Sequence, residues 1–224
     1  ATARRQRPVT RSFASERNQI VMLCVETGRG MAASCGGLTK LDHAVNATLL
    51  LAYAALRMGD QVGLLLFSDE LEVFLPPRKG RPQWRRILRA LYGVRARTCF
   101  VDYREALRAL RATVRRRALL VFFTDVLAEE DAAPLVRDVR RLAARHLPML
   151  IAIDDVLVRD AATREPLRAS DVFVQAAAVE RLGERDAILR SFRAAGGLVL
   201  DTPPEKLGTE AVNRYLELKR TRRI

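Results

Sequence analysis

Short runs of Val, Ile, Leu and Phe alternate with longer amphipathic stretches along the chain, and this alternation constrains the fold more than any other feature. The runs Gln19–Val25, Gln61–Phe67, Ala118–Phe123, Leu147–Ile153 and Leu198–Asp201 are mostly continuous, without period-2 alternation. Parallel strands covered on both faces read this way. Between them, helical spacing predicts helices over Leu41–Met58, Gln83–Leu91, Tyr103–Val114, Ala132–Arg145, Ala178–Ala195 and Glu205–Lys219. A further run, Leu71–Leu75, follows Gln61–Phe67 too closely for a crossover, so Ser68–Glu70 reads as a hairpin turn. Pro76–Pro77 then suits an edge strand. The expected fold class is α/β: three layers, doubly wound, with a mostly parallel sheet and one antiparallel edge strand. In such a sheet the ligand crevice lies beyond the carboxyl ends of the strands, where the strand order reverses.

No repeat or linker interrupts the pattern, and the 224 residues are expected to form a single domain, 1–224. There is no apolar run of about 18 residues, and Ala1–Arg17 is too polar for a secretory signal. Cys24, Cys35 and Cys99 form an odd set without metal-ligand spacing, which points to free thiols in a reducing compartment. Cys24 is expected to pack inside a strand, and Cys35, in a glycine-rich loop, to be the exposed thiol. The net charge of +13 is unevenly spread. Arg78–Arg117 carries 14 Lys/Arg against two acids, Asp102 and Glu105, and both termini are basic. A basic face including Arg85, Arg86, Arg89, Arg95 and Arg97 suits an acidic partner, an anionic membrane or nucleic acid. Trp84 falls at helical spacing with Ile87, Leu88 and Leu91, however, which favours packing over base stacking and makes nucleic acid the weaker reading.

The carboxyl ends of the strands show a second pattern. Glu26-Thr27-Gly28-Arg29-Gly30 follows the first strand, Ser68-Asp69 the second, Thr124-Asp125 the fourth, Asp154-Asp155 the fifth and Asp201-Thr202 the last. Carboxylates gathered at one rim repel unless a cation, an arginine or solvent separates them, and oxygen ligands of this kind suit Mg²⁺. The same residue types are also ordinary loop starters and helix caps. Arg29 would offer a simpler way to neutralise Asp125. Other chemistries lack their residues. Lys40 follows Thr39 and not glycine, so no phosphate loop forms, and Ala33 breaks the dinucleotide fingerprint begun by Gly28 and Gly30. His43 and His146 have no evident Ser or Cys partner and read as surface or capping residues.

Arg5–Met31 (RQRPVTRSFASERNQIVMLCVETGRGM), then KLDHAVNATLLLAYAALRMGDQVGLLLFSDE and RALLVFFTDV, resembles a bacterial family, the domain of unknown function 58. That resemblance implies a von Willebrand factor A-like, Rossmann-like domain, with the first and fourth strands adjacent and Glu26 beside Asp125. It also implies a metal-ion-dependent adhesion site, whose D-x-S-x-S positions fall on Glu26, Gly28 and Gly30. The later-loop position falls within Arg97–Tyr103, with Thr98 or Asp102 as candidate, and the last on Asp125. Both serines are glycine here and Glu replaces the first Asp, so the site reads as degenerate, with Glu26, Asp102 and Asp125 as candidate Mg²⁺ ligands. The resemblance further implies a C-terminal part of a longer protein, tethered by upstream segments to the inner membrane and facing the cytoplasm, with a MoxR-type AAA+ ATPase as partner.

The expected function is non-enzymatic protein interaction, with nucleic-acid or anionic-membrane binding through the basic face 78–117 as the alternative. The expected contact rim is Glu26–Gly37, Ser68–Glu70, Arg97–Tyr103 and Asp125–Glu130, which takes in Thr27, Arg29, Ser68, Asp69 and Thr124.

Overall fold

The structure is a computed structural model that describes residues 18–125 and 129–224. The basic N-terminal run and residues 126–128 of the expected rim lie outside the described residues.

The apolar runs become strands within a few residues of the positions expected from their composition. They are β1 (Ile20–Glu26), β4 (Gln61–Phe67), β5 (Leu71–Arg78), β6 (Ala118–Thr124), β7 (Leu147–Ile153) and β8 (Leu198–Thr202), with two short strands, β2 (Ser34–Cys35) and β3 (Leu38–Thr39), set apart. The main sheet has the order β5-β4-β1-β6-β7-β8. Every contact in it is parallel except β4 with β5. Pro76 and Pro77 fall at a register shift, between the pairings Leu64 with Leu75 and Val62 with Arg78. There the missing N–H groups cost no ladder bonds.

Alternate side chains of the central strands enter opposite cores. Val21, Leu23 and Val25 face α1 (Lys40–Arg57), α2 (Gly80–Leu91) and α7 (Leu207–Arg220). Met22 and Cys24 face α3 (Tyr103–Thr113), α4 (Glu129–Ala143) and α6 (Ala169–Ala194). A short helix, α5 (Val156–Thr163), precedes α6 and was not foreseen. None of its residues is buried, and α6 begins nine residues before the expected Ala178.

Local chemistry accounts for the helix starts that shape the rim. Thr39 caps α1 in a reciprocal capping box: its hydroxyl accepts from the Asp42 N–H, and the Asp42 carboxylate accepts from the Thr39 N–H. Before it, Gly36 and Gly37, both at positive φ, turn β2 into β3 as a two-residue hairpin loop requires. The glycine-rich loop is therefore a miniature hairpin that leads into Lys40. It also buries Cys35, whose thiol lies 3.8 Å from the Asp154 carbonyl, so the thiol expected to be exposed is not. Cys99 is the partly exposed one, and all three cysteines are free. His146 is likewise buried, not at the surface, and lies at the amino end of β7, away from the rim.

Candidate functional site

The parallel register places Glu26 level with Phe67 of β4, and one residue beyond the pairing of Val25 with Phe123. Glu26 and Asp125 therefore lie side by side at the switch point, as expected. Both are buried, Glu26 to 1% exposure and Asp125 to 6%. The hydroxyls of Tyr103 and Thr124 both donate to Oε2 of Glu26, Tyr103 at 3.1 Å, and lie 2.6 Å from each other. Burial pushes the Glu26 carboxyl up to about 8; the Thr124 hydrogen bond opposes this and the charge of Asp125 adds to it. Burial thus favours the protonated form of Glu26 at neutral pH.

Asp125 is held by an unforeseen partner. Lys40, at 2% exposure, places Nζ 3.0 Å from Asp125 Oδ2 and 2.9 Å from Asp155 Oδ2. Burial alone would lower the Lys40 pKa, but the two carboxylates outweigh it and hold the ammonium above its ordinary value. Asp155 also caps α5 by accepting from the Val158 N–H. Arg29, the expected partner of Asp125, instead lays its guanidinium 3.6 Å from the Phe100 ring centre. It makes no ion pair among the described residues.

Other carboxylates described at the rim have partners too. Asp154 meets Arg159 through two bonds, at 3.1 and 2.8 Å. Asp201 meets Arg185 in the same way, at 3.0 and 2.7 Å. Asp69 and Glu70 share Arg97, at 3.5 and 2.7 Å, so Arg97 belongs to the rim and not to a free basic face. Glu72 accepts from the buried hydroxyls of Thr27 and Ser68, at 2.5 and 2.8 Å. By contrast Arg85, Arg86, Arg89 and Arg95 are exposed and make no ion pairs among the described residues.

A divalent cation does not fit this arrangement. Asp102 is spent on the N-cap of α3, where it accepts from the Arg104 N–H at 2.8 Å. Glu26 faces hydroxyls and Asp125 faces an ammonium. Among the described residues no three acidic, His or Cys side chains converge as a metal site. The first lost serine position is also closed sterically. An ideal Cβ on Gly28 would lie 2.5 Å from Val101 Cγ2 and 3.3 Å from the Cys99 carbonyl oxygen. Gly28→Ser is therefore expected to lower stability by about 1–3 kcal/mol through overpacking. Thermal melts should show that loss, and Val101→Ala in the same chain should recover it; an unchanged melting temperature would disprove the crowding.

Much of the expected rim thus turns inward. Glu26, Thr27, Gly28, Gly30, Ser68, Thr124 and Asp125 are buried, while Arg29 and Asp69 are exposed and Asp102 half-buried. What solvent meets at this end of the sheet includes Leu38, Tyr92, Arg95 and Phe100, Tyr92 being 88% exposed. The loop that carries the last three is pinned to the rim by Arg97 N–H to Thr27 O (2.7 Å), Arg29 N–H to Cys99 O (3.1 Å) and Asp102 N–H to Ser68 O (2.8 Å). Beside it, a groove of about 590 Å³ runs between the start of α1 and the end of α2, lined by Leu41, Val45, Leu91, Val94 and Arg95 among others.

Solved structures share this fold. The VWA domain of SpRpn10 superposes with a TM-score of 0.55 at 11% identity, over 88% of this chain and 94% of that one. The conserved hypothetical protein BatB from Bacteroides thetaiotaomicron gives 0.55 at 11% identity, over 90% and 99%. An aerotolerance-related membrane protein from Bacteroides fragilis gives 0.56 at 12% identity, over 88% and 97%. None of the curated proteins matches the chain. Among the described residues no helix is long and apolar enough to cross a membrane. The family described as Protein of unknown function DUF58 matches residues 1–186, and the chain, a VWA-like α/β domain, belongs to that family.

Proposed function

We propose that the chain is a non-enzymatic protein-interaction domain whose contact surface is the exposed shell around the rim, not the buried carboxylates. The observation that carries this is the company of Tyr92, Arg95, Phe100 and the Phe100-stacked Arg29 beside an open groove. Aromatic and arginine side chains on a pinned loop lose little entropy on binding and dominate interface energies. Arg95, which makes no ion pair among the described residues, favours a partner segment that offers an apolar side chain next to a carboxylate. A non-enzymatic role is supported by the histidines. His43 bonds the Cys35 carbonyl at 3.0 Å, and His146 is buried away from the rim.

The resemblance to the DUF58 family makes a MoxR-type AAA+ ATPase, met at the cytoplasmic face of a membrane, the partner to test first. With that ATPase purified from the same cells, binding is expected to weaken at least tenfold, about 1.4 kcal/mol, in a Tyr92→Ala, Arg95→Glu, Phe100→Ala variant. Arg85→Ala, Arg86→Ala and Arg89→Ala on the exposed face of α2 should leave it nearly unchanged. The reverse result would favour the second reading, in which those exposed arginines bind nucleic acid or an anionic membrane with steep salt dependence.

A further inference from the structure

We infer that in this chain the buried ammonium of Lys40 supplies Asp125 with the positive charge that a divalent cation would otherwise supply, bridging it to Asp155, so that the rim works without metal. This goes beyond the proposed contact surface and does not depend on it. Three elements converge on the position: Asp125 follows β6, Asp155 follows β7 and caps α5, and Lys40 is the first residue of α1. The Nζ distances of 3.0 and 2.9 Å make it a bridging cation between two loops, as a bound ion would be.

Its place in the helix is telling. A lysine in the first turn stands at the positive end of the helix macrodipole, where a cation is disfavoured. Burying it there to 2% exposure is sustained by the two carboxylates. The capping box of Thr39 and Asp42 and the hairpin of β2 and β3 fix the backbone that aims it.

The surroundings exclude a second cation. The remaining space beside Lys40, Asp125 and Asp155 is a cavity of about 20 Å³, room for about one water. Arg181 and Arg185 also line it, so an entering dication would meet three positive charges. Opposite, Glu26 is turned to Tyr103 and Thr124, and Val101 fills the space above Gly28.

The test is titration calorimetry of the wild-type protein and of Lys40→Ala with Mg²⁺, Mn²⁺ and Ca²⁺, together with thermal melts in chelator and in each ion. The wild type should give no binding heat and a melting temperature independent of the ion. Lys40→Ala should melt lower, then gain a single-site isotherm and recover roughly 5 °C in Mn²⁺ or Mg²⁺ as the ion re-bridges Asp125 and Asp155. Wild-type binding that disappears in Asp125→Asn would overturn the inference, and so would a folded Lys40→Ala that takes up no ion. Should Lys40→Ala not fold, the ¹⁵Nζ resonance of Lys40 in the wild type decides. Slow proton exchange without broadening by Mn²⁺ supports the tethered cation, and selective broadening overturns it.

Discussion

Glu26→Gln is expected to make the protein more stable at pH 8 than the wild type, by a margin that vanishes near pH 4. The unfolded chain ionises Glu26 near 4.5, whereas the folded chain holds its proton until about 8. Across that window the unfolded state binds fewer protons, so wild-type stability falls as pH rises, by an amount on the order of 4 kcal/mol at the upper end. Below the lower value both states carry the proton, and the contribution is fully present. Glutamine keeps an acceptor for the hydroxyls of Tyr103 and Thr124 and cannot ionise. Urea unfolding of both proteins at several pH values measures the difference. Parallel curves would show that Glu26 is already ionised in the fold.

The second large effect lies at the opposite end of the sheet. Asp60 is fully buried in the turn before β4 and gathers three donors from distant parts of the chain: Tyr215 Oη at 2.6 Å, Lys219 Nζ at 2.7 Å and the Gln19 N–H at 3.1 Å. It therefore ties α7 and the entry to β1 to a single carboxylate. Asp60→Ala leaves a buried phenol and a partly buried ammonium without their acceptor and opens a small cavity. The expected loss is about 3–5 kcal/mol, or roughly 10 °C in melting temperature. Lys219→Met should cost less, about 2 kcal/mol: the buried Asp60 carboxylate loses its ammonium, but Tyr215 and the Gln19 N–H still donate to it. Hydrogen exchange should show residues 207–220 losing protection first in Asp60→Ala. Uniform loss across the sheet would contradict a local tie.

The strands were legible because covered parallel strands must be apolar on both faces, and β4 and β7 lie where composition put them. The position of Glu26 beside Asp125 followed from the strand order that the family resemblance implies, at the switch point the topology had marked. The partner of Asp125 did not, since the Lys40 bridge joins residues 85 and 115 positions apart and no local pattern marks it. A signal did exist in Thr39-x-x-Asp42, a capping box that sets the start of α1 at Lys40 and turns that residue inward. The hairpin bend at Gly36 and Gly37 reversed the expected exposure of Cys35. The first part of α6 escaped for a different reason: Val172, Phe173 and Val174 are exposed, so apolar periodicity has nothing there to report.

The proline pair at the end of β5 reaches beyond the fold of one molecule. A sheet whose outer strands offer free N–H and C=O rows can template further strands and grow into fibres. On one side that growth is hindered by Pro76 and Pro77, which offer no N–H groups to a further strand. On the other, β8 offers only five residues, one of them Asp201 with its side chain locked by Arg185. Among the described residues both margins of the sheet are thus poor templates for another chain, which favours assembly through loops and helices.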